Sequence, residues 1–266
     1  MGNLRKPEMI LFDYGRTLLY EPDWDAQRGD RALFQYVTHN PNHCTPEDLR
    51  RESEAVFSEL DRITEVLHYD VPCATGTRLI LEHLGIRLSL TSLEQENVFW
   101  TAASPGAVVP YADSLLDYLN AAGIRTGVIS NNGWSSEALR QRVDRLLPNN
   151  RFEFVLSSCD YLVRKPDRRL FEIGLQRAQL PAEKVWYCGD SIRADVYGAK
   201  NAGMFPVFFD GNIEIGNSFD HRNKDLTIDF DYLHIHHWRE LIKVLEEMEI
   251  SKCAYRLCSA KRSIGS

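Results

Sequence analysis

With 266 residues, 44% of them apolar and 26% charged, the chain can bury a sizeable core, either as one large domain or as a core carrying an insert. A formal net charge of −7 excludes a global basic field for holding nucleic acid, although a small phosphorylated molecule needs only a local positive site. The start lacks an apolar leader and no stretch approaches the length of a membrane span, so with six scattered cysteines a cytoplasmic protein with free thiols is expected.

In chain order, the first predicted strand is the apolar run Met9–Phe12, which ends abruptly in Asp13 and a glycine turn at Gly15. From about residue 22 to 104 the pattern is helical, with helices expected at Arg28–Val37, Pro46–Leu67 and Thr77–Leu84 and no convincing strand. Further strands are predicted at Thr126–Ile129, Phe152–Leu156, Val185–Cys188 and Pro206–Phe209. Helices alternate with them at Tyr111–Ala122, Leu170–Ala178 and Ala194–Ala202, Gly123 and Gly203 marking two of the ends. Beyond Asp210 the chain reads as a glycine- and asparagine-rich loop, a short strand near Leu226–Ile228, a last helix at Trp238–Met248 and a mobile basic tail from 251 to 266.

Strands alternating with helices argue for an α/β fold, a Rossmann-like parallel sheet. A helical segment of some eighty residues is long for one crossover, so it reads as a cap inserted into the core. The expected division is a core of 1–21 and 105–250, a helical cap of 22–104, and the tail.

Four short segments close predicted strands or precede helices, where open α/β sheets bind ligands. They are Asp13, Ser130 followed by Asn131-Asn132-Gly133, Lys165 in Arg164-Lys165-Pro166-Asp167, and Gly189-Asp190-Ser191-Ile192-Arg193-Ala194-Asp195. The set suits phosphoryl transfer: Asp13 as nucleophile, Asp190 as an oxygen ligand for Mg²⁺, and Ser130 and Lys165 against the charge of the transferring group. Ser130 can instead cap the helix expected near Trp134, and Asp195 can be a charge at a helix start; both readings stay open.

In that order and spacing, Asp13…Thr17, Ser130, Lys165-Pro166 and Gly189-Asp190-Ser191…Asp195 resemble the haloacid dehalogenase (HAD) superfamily, in particular its members with a helical cap between the first two motifs. The resemblance runs from about Met9 to Phe209, including Gly198-Ala199 and Ala202-Gly203. It implies a Mg²⁺-dependent hydrolase acting through an aspartyl-phosphate on a small phosphorylated substrate. Asp13 would be nucleophile and metal ligand, Gly15 would offer its carbonyl to the metal, and Asp190 would ligate it with Asp195 in or behind the shell. Ser130, Asn131 and Lys165 would bind phosphate, Lys165 also serving catalysis.

The departure lies at Gly15, where most phosphatases of the family hold a second aspartate, the general acid/base, worth on the order of a hundred- to ten-thousand-fold. Glu21, Asp23, Asp25, His39, His43 and His68 are the stand-ins the sequence offers, and Tyr14 and Arg16 flank the gap. Family dehalogenases also lack the acid but need no metal, which the intact Gly189-Asp190-Ser191 turn speaks against. Phosphonoacetaldehyde hydrolases use a cap lysine, and this chain has no lysine between Lys6 and Lys165. The rival reading is a weak or silent relative that binds a phosphorylated ligand or a partner protein. His234-Ile235-His236-His237 suggests a transition-metal site, but adjacent histidines point differently and a structural role is preferred; the Cys253–Cys258 spacing reads as incidental.

Overall fold

The computed structural model describes residues 5–211, 223 and 226–249. The expected loop at Asn212–Asn217 and the tail of 251–266, with Cys253 and Cys258, lie outside the described residues.

Six parallel strands form the central sheet: β1 (Met9–Phe12), β6 (Arg125–Ser130), β7 (Phe152–Ser157), β8 (Val185–Gly189), β9 (Phe205–Phe209) and β10 (Leu233–Ile235), in the order β10-β9-β8-β1-β6-β7. Both faces are buried, as a parallel sheet requires. Ile10 and Phe12 face α5 (Ala112–Ala121), α6 (Ser136–Leu146) and the helix 238–249 through Leu115, Leu119, Leu139, Trp238 and Leu241. Met9 and Leu11 face the other layer, where α7 (Arg168–Ala178) and α8 (Gly198–Asn201) contribute Leu170, Phe171 and Ala199.

The chain runs outward from β1 through β6 to β7, then returns to the far side of β1 as β8. The direction therefore reverses between β1 and β8, and the crevice at their C-terminal ends is where such sheets take ligands.

Between β2 (Leu19–Tyr20) and β5 (Ala107–Val108), which pair antiparallel, the chain makes four helices: α1 (Ala26–Phe34), α2 (Pro46–Leu67), α3 (Cys73–Leu84) and α4 (Ser92–Ala103). The start of α2 is locally encoded: Thr45 and Asp48 form a reciprocal capping box, with Pro46 in the first turn. The α2 span matches its expectation, but the helix expected at Arg28–Val37 stops at Phe34. Val37–His39 is instead a strand (β3) paired with Arg87–Leu88 (β4), so the insert is not purely helical. Strands of two or three residues are too short to show a period in sequence. Helix α4 was invisible for another reason: it packs against α1 on one side and α6 on another, so its apolar residues favour no single face.

Two seams hold the insert against the core. Trp100 stacks on Trp134 at 5.1 Å, Glu96 accepts from the Ser135 amide, and the Cys73 amide donates to Gly133 O. In the second, the Asp70 amide donates to Leu162 O and the Asp70 carboxylate pairs with Arg164 at 3.2 Å. Together they bring the end of α2 over the strand ends.

Near the C-terminus, the strand lies at Leu233–Ile235 rather than Leu226–Ile228, since its central histidine interrupts the apolar run that strand readings follow. The helix expected over Ala194–Ala202 is a π-helical turn, Ile192–Tyr197, leading into the short α8.

Candidate functional site

Parallel register sets the level of each residue. Phe12 is opposite Val128 and Cys188, and the Asp13 amide donates to Cys188 O at 2.9 Å. Ser130 ends β6 and Asp190 follows β8 by one residue, so both flank Asp13 at the same sheet edge. These residues line a cleft of about 880 Å³ with Gly15, Arg16, Asn131, Arg164, Lys165, Asp195 and the insert residues Glu65 and His68.

At its floor lies Lys165, only 4% exposed. Its ammonium donates to Asp13 Oδ1 (2.7 Å), Asp195 Oδ1 (2.6 Å) and Tyr187 Oη (2.8 Å), which uses all three of its protons. Burial pulls its pKa down, but Asp13 and Asp195 more than offset this and hold the lysine charged. Tyr187, inconspicuous in sequence among the apolar residues of β8, donates its own hydroxyl hydrogen bond to Ile129 O at 2.6 Å.

Asp195 is 1% exposed and has both oxygens engaged, one by Lys165 and the other by the Ser191 amide at 2.9 Å. That contact needs Gly189: a Cβ there would overlap the Asp195 carboxylate. Asp13, Asp190 and Asp195 each offer an oxygen within 4.8 Å of the others, an all-oxygen set of the kind Mg²⁺ prefers.

Ser130 is not the cap of α6; Ser135 is, accepting from the Ala138 amide. Asn131 lines the cleft, but its side chain grips the Lys165 backbone at both ends, Nδ2 to O (2.9 Å) and Oδ1 from N (2.7 Å). Any hold it has on phosphate would pass through its main chain.

At Gly15 a Cβ would meet nothing within 4 Å apart from its chain neighbours, so nothing from elsewhere in the described fold occupies the first position of the missing side chain. Of the stand-ins, Glu21 is committed elsewhere: Arg142 pairs with it, and Tyr14 Oη and Trp100 Nε1 donate to it at 2.6 and 3.1 Å. Burial raises the Tyr14 phenol well above its usual range. Asp25 caps α1. Asp23, His39 and His43 do not line the cleft, whereas His68 does, from the left-handed end of α2 (φ 56°).

The sequence model of haloacid dehalogenase-like hydrolases matches residues 106–208. The glyceraldehyde 3-phosphate phosphatase of Methanopyrus kandleri is 30% identical over 247 residues, covering 90% of this chain and 97% of the relative. That of Pyrococcus abyssi is 33% identical over 101 residues, 38% of this chain and 42% of the relative, so the match spans under half of that protein. Among solved structures, the 2-haloacid dehalogenase of Pseudomonas syringae superposes with a TM-score of 0.55 at 23% identity, over 90% of this chain and 98% of that one, a likeness of fold.

Proposed function

The chain belongs to the haloacid dehalogenase-like hydrolase family, and on that premise we propose that it is a Mg²⁺-dependent phosphohydrolase for a small phosphorylated metabolite, working through an aspartyl-phosphate on Asp13. The observation that carries the reading is the convergence of Asp13, Asp190 and Asp195 at the sheet's reversal point, with the buried ammonium of Lys165 held by Asp13 and Asp195. The phosphatase names of the Methanopyrus and Pyrococcus relatives support it.

Asp13, Asp190 and the Gly15 carbonyl would hold the metal, with Asp195 behind them as the partner of Lys165. Bound there, Mg²⁺ would neutralise charge on the phosphoryl oxygens. Because Lys165 holds Asp13 Oδ1, attack on phosphorus is assigned to Oδ2. A bond forms from that oxygen to phosphorus, the ester oxygen departs with a proton, and water then releases phosphate and restores the carboxylate. Ser130 and the cleft arginines Arg16, Arg164 and Arg193 face the substrate's anionic end. The proton for the leaving oxygen is assigned to His68, the stand-in that lines the cleft and, among the described residues, has no ion-pair partner tying it up as Arg142 ties Glu21.

Steady-state hydrolysis of aryl and alkyl phosphates with and without Mg²⁺ tests the reading. Mg²⁺-dependent turnover that disappears in Asp13→Asn supports it. His68→Gln should slow alkyl phosphates more than aryl ones, whose leaving groups need little protonation. The open space beside Gly15 favours the rival, a silent binder, which predicts thermal shifts with phosphorylated ligands but no turnover across a broad panel.

A further inference from the structure

Away from the cleft, β10 is the edge strand of the sheet; it carries His234, and His236 follows its last residue, Ile235. The register puts His234 opposite Phe208 and Ile235 opposite Phe209; the residue that follows β9 is Asp210, whose amide donates to Ile235 O at 2.8 Å. Asp210 and His236 each lie one residue past a strand end, and the Asp210 carboxylate lies beside both histidine rings. The His234 ring is braced on Phe208, with centroids 4.9 Å apart, and the His236 amide donates to Glu240 at 3.1 Å.

Asp210, His234 and His236 each present a ligand atom within 4.8 Å of the others. His234 Nε2 is 3.6 Å and His236 Nδ1 3.8 Å from Asp210 Oδ2. Both are too long for hydrogen bonds. Two donors on a tetrahedral zinc at the usual bond lengths sit about 3.3 Å apart, so a few tenths of an ångström of side-chain motion brings each histidine to that spacing from Asp210, the two histidine nitrogens lying within 4.8 Å of each other. His236 Nδ1 is within hydrogen-bond distance of the Asp210 carbonyl at 3.3 Å, a contact that metal binding at that nitrogen would replace. His237 takes no part: its ring packs on Tyr111 at 4.5 Å and accepts from the Arg239 amide.

We propose that Asp210, His234 and His236 form a surface site for a first-row transition-metal dication, Zn²⁺ being the reference ion, that clasps β10 to β9. Two imidazoles and one carboxylate are borderline ligands that select such ions over Mg²⁺. Because only the folded chain assembles the three donors, binding stabilises the fold by mass action. The site does not depend on the phosphatase reading.

The test is Zn²⁺ titration by calorimetry, with melting curves, in saturating Mg²⁺ to occupy the carboxylate cleft. One Zn²⁺ per chain and a rise in Tm are expected in the wild type, in Asp13→Asn and in His237→Ala. Both should vanish in the His234→Ala/His236→Ala double variant, and metal-free melting shows that this variant is folded. Equal Zn²⁺ binding in the double variant, or none in the wild type, would overturn the proposal. If the double variant fails to fold, Asp210→Asn serves in its place, and unchanged affinity there overturns it equally.

Discussion

Arg16, with φ 58°, bears the left-handed backbone of the turn after Asp13, and Gly15 beside it does not. The glycine is thus not demanded by the turn. Its missing side chain opens space next to the nucleophile candidate while the strained conformation falls on a residue that ordinarily avoids it.

Gly15→Asp should fold normally, its stability within about 0.5 kcal/mol of wild type, because a Cβ at this position meets no atom within 4 Å outside its chain neighbours. With a local proton donor restored, turnover of alkyl phosphates should rise on the order of tenfold or more. Steady-state kinetics against Gly15→Ala as control checks this; an equal rate in both variants would mean that the proton already has an efficient source.

Gly189→Ala should behave in the opposite way. The added methyl collides with the Asp195 carboxylate, which cannot retreat without leaving Lys165. Overpacking of this kind costs about 1–3 kcal/mol, and activity should fall with it. Urea denaturation and phosphatase assays on the same preparation measure both.

Lys165→Met leaves Asp13 and Asp195 facing each other without their shared cation. Breaking a buried ion pair on one side typically costs about 3–5 kcal/mol, and Mg²⁺-dependent turnover should be lost as well. Denaturation midpoints in Mg²⁺-free buffer are the readout; a variant as stable as wild type would show that the triad contributes little to the fold.

Asp30, buried between α1 and α2, has its carboxyl pushed by burial from 3.8 up to about 6, against the pull of Arg50 at 3.4 Å and Ser53 at 3.3 Å. Between pH 4 and 6 the folded chain therefore keeps a proton that the unfolded chain has lost, so this group's contribution falls as pH rises through that window and is flat above it. Two units correspond to about 3 kcal/mol as an upper bound. Asp30→Asn should be more stable than wild type at pH 7.5 and lose that advantage near pH 4, read as the difference between paired urea midpoints. Parallel curves for the two proteins would contradict the assignment.

Much of the sheet and the helix α2 was legible because their signals are local. Four-residue apolar runs, the Thr45–Asp48 capping box and the terminal glycines act within a few residues of the elements they define. Ser130, by contrast, was ambiguous between a cap and a ligand until the helix start fell at Ser135. The ribbon of β3 and β4 escaped because strands of two or three residues show no period, and the helix α4 because its pattern is set by neighbours on more than one side.

The sequence by itself determined that carboxylates close the strands at Asp13 and Asp190 and that Gly15 interrupts the family pattern. Only the tertiary structure decided what those residues touch. Lys165 meets Asp13 across 152 positions of chain, Arg142 claims Glu21 across 121, and strand register brings Asp210 beside two histidines. The first two arise because packing buries charged groups that must then find counter-charges in space, the third because register aligns two strand ends at the surface, and no spacing along the chain records either.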